Sequence, residues 1–246
     1  MSPIIFGSMR MSRDKGDELY WAELLRQAHK AGIDTIHSSI EYESFSLLLS
    51  TLQKLSEIDN SVRFKHIVKL AEPHFSDSSY SSSRLQDKIQ QYLDNFGVNQ
   101  LESIQWMWRS NLPDEDRVAS FVNQHKQVSD DIQNLKQEGL INSAYCFPYS
   151  VDFMDKAIGL DVFDGFCVYR NPSELEYDGL LKRSKANTVI SIRPFFASKE
   201  LIREKGSIEL LNYNFSEPAV KSTILSLSSL SQLNEIKGFL DAKKNF

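Results

Sequence analysis

The sequence has few cysteines, no long apolar run and no excess of basic residues, and each absence excludes a class of protein. Two cysteines in 246 residues, Cys146 and Cys167, cannot supply a disulfide framework, and their place in strand-like runs indicates reduced core thiols. No apolar run approaches the roughly 20 residues of a transmembrane helix. The net charge of −5 offers nothing that would attract nucleic acid or an anionic membrane.

Targeting and metal signals are equally scarce. The first ten residues, MSPIIFGSMR, lack the charged region and long apolar core of a secretory signal. No group of His, Cys and Asp residues has metal-ligand spacing, so we expect no metal site. We therefore expect a cytoplasmic protein that acts on a small molecule, as a monomer or a homodimer, with no nucleic-acid or membrane partner.

Short β-branched runs alternate with longer amphipathic stretches along the chain. The predicted strands are IIFGS (4–8), DTIHS (34–38), FKHIVKL (64–70), LESIQWMW (101–108), INSAYCF (141–147), FDGFCVY (163–169), TVISIRP (188–194) and STILSL (222–227). The predicted helices cover 17–32, 44–57, 84–96, 115–138, 151–158, 173–185, 207–215 and 229–243. Eight such units favour a single-domain α/β protein, a (β/α)8 TIM barrel over residues 1–246. Alternation alone also fits an open doubly wound sheet, but no strand is followed by G-x-G-x-x-G.

In such a barrel the active site lies at the C-terminal ends of the strands. Tyr42 follows the second strand and Lys69 ends the third, so the two come from neighbouring strand ends. An ammonium beside a phenol favours the phenolate, and we expect a lowered pKa that makes Tyr42 a general acid near neutral pH. Four arginines also fall at strand ends and would form an anion site if they converge: Arg10, Arg109, Arg170 and Arg193.

Six segments, in the right order, resemble those of the aldo-keto reductase family. GIDTIHSSIEY (32–42) is similar to the family's G-I-N-x-F-D-T-A-x-x-Y, and HIVKL (66–70) to its strand with the catalytic lysine. LESIQWMWR (101–109) is similar to I-D-L-Y-x-x-H-W-P. The other three resembling segments are LKQEGLINSAYCFPYS (135–150), VISIRPFF (189–196) and LLNYNFSEPAVKSTILSLSSLSQLNE (210–235). The resemblance runs almost from end to end.

The resemblance implies hydride transfer from NADP or NAD to a carbonyl by a tetrad of Asp, Tyr, Lys and His. By position, Tyr42 and Lys69 keep their places, whereas His37 stands at the Asp position and Met107 at the His position. On this reading Lys69 has no carboxylate counter-charge; a neutral His37 could accept a hydrogen bond from it, whereas a protonated His37 would repel it and lower its pKa. Met107 has no proton to give to a carbonyl oxygen.

Further contacts follow from the same resemblance. We expect substrate contacts from Met107, Trp108, Arg109 and Arg10. We expect cofactor contacts from Gly7, Ser8, Phe147, Arg193, Ser226, Ser228, Ser229 and Gln232. Phe147 and Pro148 fall where the family's Ser-Asn pair holds the nicotinamide amide, and neither side chain can hydrogen-bond it. The turn SLSSLSQL keeps hydroxyl and amide donors at a helix N-terminus, where Ser229 and Gln232 form a capping box.

Three functions stay open at this point. The first is a divergent oxidoreductase that reduces a carbonyl on a small substrate; an arginine-bearing mouth suits an anion such as a phosphorylated or nucleotide-linked sugar. The second is a non-redox proton-transfer enzyme, a lyase or isomerase, that uses His37, Tyr42 and Lys69. The third is a non-catalytic barrel that binds a ligand after losing nicotinamide binding.

Overall fold

The eight predicted strands form one closed parallel barrel, which confirms the fold class. The structure, a computed structural model, describes residues 2–77, 79–183, 188–196 and 199–243. The strands are β1 (Ile4–Gly7), β2 (Thr35–Ser38), β3 (Lys65–Ala71), β4 (Ser103–Met107), β5 (Ala144–Phe147), β6 (Gly165–Tyr169), β7 (Val189–Ile192) and β8 (Val220–Leu225). Each strand pairs with the next one in the chain, and β1 closes the ring on β8. All C-terminal strand ends therefore meet at one rim.

Helices cover the outside of the barrel. They are α1 (Glu18–Lys30), α2 (Phe45–Ile58), α3 (Ser82–Phe96), α4 (Asp114–Gln137), α5 (Val151–Leu160), α6 (Asp178–Leu181), α7 (Lys199–Lys205), α8 (Ser207–Phe215) and α9 (Leu230–Lys243). A 3-10 turn, Ser8–Arg10, follows β1 directly. Helix α7 was not predicted from the sequence. In the described part of the chain, no helix is both long enough and apolar enough to cross a membrane.

The helix predicted over 173–185 is shorter than expected. It is reduced to Asp178–Leu181, and residues 184–185 lie outside the described residues. Asn171 explains the loss, because its Oδ1 accepts a hydrogen bond from the Ser173 N–H at 2.9 Å. Its Nδ2 donates to Glu174 at 2.6 Å and to the carbonyl oxygen of Arg193 at 2.9 Å. Such side-chain bonds hold the backbone in a turn and compete with a helix.

Apolar side chains pack on both faces of the strands. The barrel interior is filled by Ile5, Ile67, Ala71, Met107, Tyr145, Phe147, Cys167, Ile190 and Ile224. On the outer face, the rings of Trp106 and Phe121 lie 6.0 Å apart beneath the helices, and both residues are fully buried. Because side chains alternate along a strand, Met107 points into the barrel while its neighbour Trp106 points outward.

Two non-glycine residues just past strand ends hold a left-handed backbone. Tyr149 has a φ of 60° after β5, and Arg193 has a φ of 56° after β7. Residues with a Cβ rarely adopt this region, and such strain is concentrated at functional sites. Both side chains line the same cavity at the C-terminal rim.

Candidate active site

A cavity of about 480 Å³ opens at the C-terminal rim of the barrel. Its wall includes these predicted site residues: Gly7, Arg10, His37, Tyr42, Lys69, Met107, Arg109, Phe147, Arg193 and Ser226. Lining residues that the sequence had not singled out include Gln105, Tyr149 and Phe195. Within the described residues, the wall carries four cationic side chains and no carboxylate.

The remaining predicted site residues do not line this cavity: Ser8, Trp108, Ser228, Ser229 and Gln232. Trp108 was expected at the mouth, and that placement is wrong. It is 1% exposed and packs against Tyr80 and Phe121, with ring centroids 6.3 and 5.9 Å away. Ser8 is buried in the 3-10 turn after β1.

Lys69 has a carboxylate counter-charge, so the expectation that it lacks one is wrong. Its Nζ lies 3.6 Å from Oε2 of Glu41. The same ammonium lies over the ring of Tyr42, 5.1 Å from the centroid. Burial and the guanidinium of Arg109 lower the pKa of Lys69, while Glu41 acts in the opposite direction. The carboxylate comes from the loop after β2 and not from the end of the strand.

Glu41 is another residue near the cavity that the sequence had not singled out. Its Oε2 accepts a hydrogen bond from Nη1 of Arg109 at 2.8 Å, and its Oε1 lies 3.3 Å from Nε2 of His74. Burial would raise the pKa of Glu41, but Arg109, Lys69 and His74 outweigh it and hold this pKa below its ordinary value. The sequence does show that Glu41 directly precedes Tyr42, so both side chains start from the loop after the same strand.

The Tyr42 phenol holds its proton more strongly than expected. Burial raises its pKa well above the ordinary value, and the surroundings, including Tyr92 and then Glu41, add to the rise. The predicted decrease is therefore wrong, because the loss of solvent dominates over the lowering effect of the Arg109 guanidinium. Tyr42 is consequently a neutral phenol at pH 7 and can act as a proton donor.

His37 bonds to Gln105, and among the described residues Lys69 pairs with Glu41 and not with His37. The distance from Nε2 of His37 to Oε1 of Gln105 is 2.6 Å. An amide oxygen only accepts, so Nε2 carries the ring proton and Nδ1 holds a lone pair. Burial lowers the pKa of His37 to about 4, although the bond to Gln105 acts to raise it. The imidazole is therefore neutral at pH 7.

Arg109 and Tyr149 cross the mouth on the β4–β5 side. Nε of Arg109 donates to the Tyr149 hydroxyl at 3.0 Å, and its guanidinium lies 5.0 Å from the ring centroid of Phe75. The Tyr149 hydroxyl in turn lies 3.7 Å from the sulfur of Met107. Since Arg109 also binds Glu41, most of its charge is already compensated.

An aromatic wall and two arginines occupy the other side of the cavity. The ring of Phe147 packs edge to face on Tyr169, with centroids 5.2 Å apart. The guanidinium of Arg193 lies 4.2 Å from the centroid of the Tyr169 ring and 3.6 Å from Glu174. Arg10 reaches the same cavity from the end of the 3-10 turn.

The fourth strand-end arginine, Arg170, does not converge with the others. It is 4% exposed, and its Nη1 donates to the backbone carbonyl oxygens of Tyr213 and Asn214. Its Nε lies 3.4 Å from Asp178. Arg170 thus links α8 to the barrel. The four strand-end arginines therefore do not all converge, and three of them line the cavity.

The N-terminus of α9 is capped by its own side chains. Ser229 Oγ accepts a hydrogen bond from the Gln232 N–H at 3.2 Å, which is one half of the predicted capping box. The other half of the box differs from the prediction, because Oε1 of Gln232 accepts not from the Ser229 N–H but from the Ser228 N–H at 2.7 Å. That amide is therefore already occupied. Elsewhere, the described residues contain no group of three or more His, Cys, Asp or Glu side chains that could hold a metal.

The chain is similar to several solved structures of one kind. No protein-family model and no curated protein matches it. PA4992 of Pseudomonas aeruginosa, assigned as an aldo-keto reductase, superposes with a TM-score of 0.72 and 20% identity over 98% of this chain and 91% of that one. For aldo-keto reductase AKR11C1 of Bacillus halodurans in its holo form, the TM-score is 0.68 at 14% identity, over 96% and 85%. For a Klebsiella pneumoniae aldo-keto reductase in complex with NADPH, it is 0.67 at 14%, over 97% and 85%.

The likeness extends over nearly the whole chain. It shows that this barrel has the aldo-keto reductase fold. At identities of 14 and 20%, shared architecture is what the comparison establishes. The chemistry of the site has to be argued from its own residues.

Proposed function

We propose that this protein reduces a carbonyl group on a small anionic substrate with NADPH or NADH, and that Tyr42 donates the proton. The observation that carries the proposal is the meeting of Tyr42 and Lys69 at one wall of the cavity, with Glu41 beside Lys69. Burial keeps the phenol protonated at neutral pH. An alkoxide formed from a carbonyl is a stronger base than a phenolate, so the proton transfer is favourable.

Each residue then has a defined task. A nicotinamide cofactor supplies the hydride when it is bound. Tyr42 gives its hydroxyl proton to the carbonyl oxygen, and the ammonium of Lys69 stabilises the phenolate that remains. Glu41 keeps Lys69 charged and in place. Met107 gives the carbonyl no hydrogen bond, and since one missing donor costs about 10²–10³ in rate, we expect slow turnover.

The residues present suit parts of a nicotinamide dinucleotide. At the start of α9, the backbone N–H groups of residues 229–231 donate to no partner within the described residues and suit a diphosphate. Ser226 and Arg10 line the cavity near this end of the barrel. Phe147 and Tyr169 offer an aromatic face, but Phe147 cannot hydrogen-bond a carboxamide. The chain therefore fits the cofactor, with weaker recognition of the nicotinamide amide.

The charges around the cavity support an anionic substrate. Lys69, Arg109, Arg193 and Arg10 line it. The carboxylates that pair with them are Glu41, shared by Lys69 and Arg109, and Glu174 beside Arg193. Two positive charges are left uncompensated among the described residues, which suits a phosphate ester, such as a phosphorylated or nucleotide-linked sugar.

Two measurements test the proposal. NADPH and NADH are first titrated with fluorescence detection, and NADPH oxidation is then followed with a panel of phosphorylated aldehydes. Tyr42→Phe is expected to lower kcat by about 10²–10⁴, the usual contribution of a general acid. Tyr169→Phe, which removes another hydroxyl from the same cavity, is the matched control and should change kcat far less. Absence of binding by either dinucleotide, or full activity in Tyr42→Phe, would sink the proposal.

A non-redox proton-transfer enzyme, a lyase or isomerase, is the second candidate. Its support is that Gln232 occupies the Ser228 N–H, and that the apolar Phe147 stands where an amide-binding group is expected. This candidate predicts binding of sugar phosphates without binding of dinucleotides. Thermal-shift measurements with ribose 5-phosphate and with NADPH separate the two, because each ligand raises the apparent stability only if it binds the native state.

A further inference from the structure

We propose that Nδ1 of His37 recognises a hydroxyl group on the carbon next to the reacting carbonyl, so that 2-hydroxy aldehydes and ketones are the preferred substrates. The inference rests on the proposed function, because it assigns a substrate class to the same site. It starts from the fixed orientation of a buried imidazole.

Gln105 fixes which ring nitrogen of His37 is free. The 2.6 Å contact to the Gln105 side-chain oxygen requires the proton on Nε2. Gln105 is itself 3% exposed on β4, held in register opposite Lys69 of β3, so its amide is anchored within the barrel. The neutral imidazole therefore presents Nδ1 as a lone-pair acceptor and cannot donate from that atom.

This acceptor has no partner in the part of the chain that the structure describes. His37 is 5% exposed, yet it lines the cavity. Nδ1 of His37 is not among the fully buried side-chain atoms without a partner, so it is open to the cavity and a bound molecule can reach it. The nearest cationic donor, Lys69, is directed to Glu41. A hydrogen-bond donor on a bound molecule would give Nδ1 of His37 a partner.

The position of His37 beside Tyr42 selects which part of the substrate it meets. The two ring centroids are 6.2 Å apart, so both rings border the same small volume. A carbonyl oxygen at the Tyr42 hydroxyl places a neighbouring carbon within reach of His37. Because Nδ1 only accepts, that carbon has to carry a hydroxyl, and a hydrogen atom, an ether or a second carbonyl would leave the acceptor unpaired.

Ribose 5-phosphate and 2-deoxyribose 5-phosphate are a matched pair of probes, because they differ only in the hydroxyl next to the aldehyde carbon. A site built to bind a hydroxyl discriminates against the analogue that lacks it by up to about 10⁴–10⁵. We expect kcat/KM for NADPH oxidation to be at least about 10²-fold higher with ribose 5-phosphate. Equal values would overturn the inference and leave the reductase proposal standing.

Two substitutions separate the nitrogens of His37. His37→Gln places an amide near the former Nε2 and keeps the contact with Gln105, but it removes the acceptor at Nδ1. His37→Asn places its amide near the former Nδ1 and loses the contact with Gln105. We expect His37→Gln to lose the preference for the 2-hydroxyl and His37→Asn to retain part of it. The reverse order would contradict the assignment.

A measurement on the wild-type protein does not depend on turnover. With 15N-labelled histidine, long-range 1H–15N spectra report the tautomer of each ring. We expect His37 to be the neutral Nε2–H form, and its Nδ1 resonance to shift on addition of ribose 5-phosphate but not of the 2-deoxy sugar. An Nδ1–H tautomer, a charged ring or equal shifts would refute the inference. A hydroxyl-dependent shift without NADPH oxidation would instead remove the reductase proposal and leave the His37 assignment intact.

Discussion

Removal of the charge on Glu41 should change the titration of Lys69 in a predictable direction. In Glu41→Gln the size of the side chain is kept, but the carboxylate that raises the pKa of Lys69 among the described residues is lost. Arg109, which loses its partner Glu41 at the same time, already lowers that pKa and is then uncompensated. Both changes act together, so the pKa of Lys69 should fall further below its ordinary value.

The distance sets the size of the effect. Two unit charges 3.6 Å apart attract by about 1 kcal/mol at the dielectric constant of water and by about 5 kcal/mol at an effective value of about 20. The side chain of Glu41 is 37% exposed, so solvent screens the pair and the lower end applies, about 1–2 kcal/mol. Loss of this attraction favours the uncharged amine, so we expect the pKa of Lys69 to decrease.

Lysine labelled with 13C at Cε allows the titration to be followed directly by NMR. The Lys69 resonance is assigned by its loss in Lys69→Arg. Glu43→Gln is the matched control, because it removes the same charge from an exposed residue two positions further along the chain. In the proposed reductase reaction, the alkaline limb of the pH–rate profile should move to lower pH by the same amount as the Lys69 pKa. A Lys69 pKa that stays constant or rises in Glu41→Gln would refute the assignment of Glu41 as its counter-charge.

Three further predictions concern stability and can be tested by urea unfolding. Phe121→Ala, at a fully buried ring, should lower the free energy of unfolding by about 3–5 kcal/mol, whereas Leu19→Ala, at a residue that is 55% exposed, should change it by less than about 0.5 kcal/mol. Gln232→Ala removes a cap of α9 and should cost about 1 kcal/mol. Burial lowers the pKa of His66 to about 4, from 6.5 in the unfolded chain; the unfolded state therefore binds more protons between these values, and stability should fall by about 2 kcal/mol per such histidine from pH 7 to pH 5. His66→Phe should remove that share of the pH dependence; a slope equal to that of the wild type in this variant would contradict it.

The barrel could be predicted because its signals are local. Strand–helix alternation is written into hydrophobic periodicity, and the predicted helices other than 173–185 end within two residues of the observed ones. The exception at 173–185 has a cause that periodicity does not capture. Asn171 holds residues 171–174 in a turn through side-chain bonds, one of them to the carbonyl oxygen of Arg193. That partner is supplied by a distant strand end, so the sequence could not show it.

The sequence predicted which residues line the cavity better than it predicted the contacts between them. Tyr42 and Lys69 reach the cavity from neighbouring strand ends, as parallel register requires. The partners of these side chains depend on rotamers and loop paths instead. Glu41 can be read from the sequence as the neighbour of Tyr42, but its contact with Arg109 joins residues 68 positions apart. The sign of the Tyr42 pKa shift failed for a related reason, because the burial of its phenol is a property of the packed structure.

The position of Glu41 has a cost for the proposed chemistry. A carboxylate at the strand end would be buried, whereas Glu41 reaches Lys69 from an exposed loop and shares its charge with Arg109. Lys69 therefore depends on a solvent-screened carboxylate that is shared with Arg109, and burial lowers the pKa of Lys69 and raises that of Tyr42. A phenol with a raised pKa is a weaker acid, so proton transfer from Tyr42 requires a carbonyl oxygen that becomes strongly basic. A neighbouring hydroxyl held by His37 would help by fixing that oxygen against Tyr42, because positioning can offset part of a weak acid's deficit.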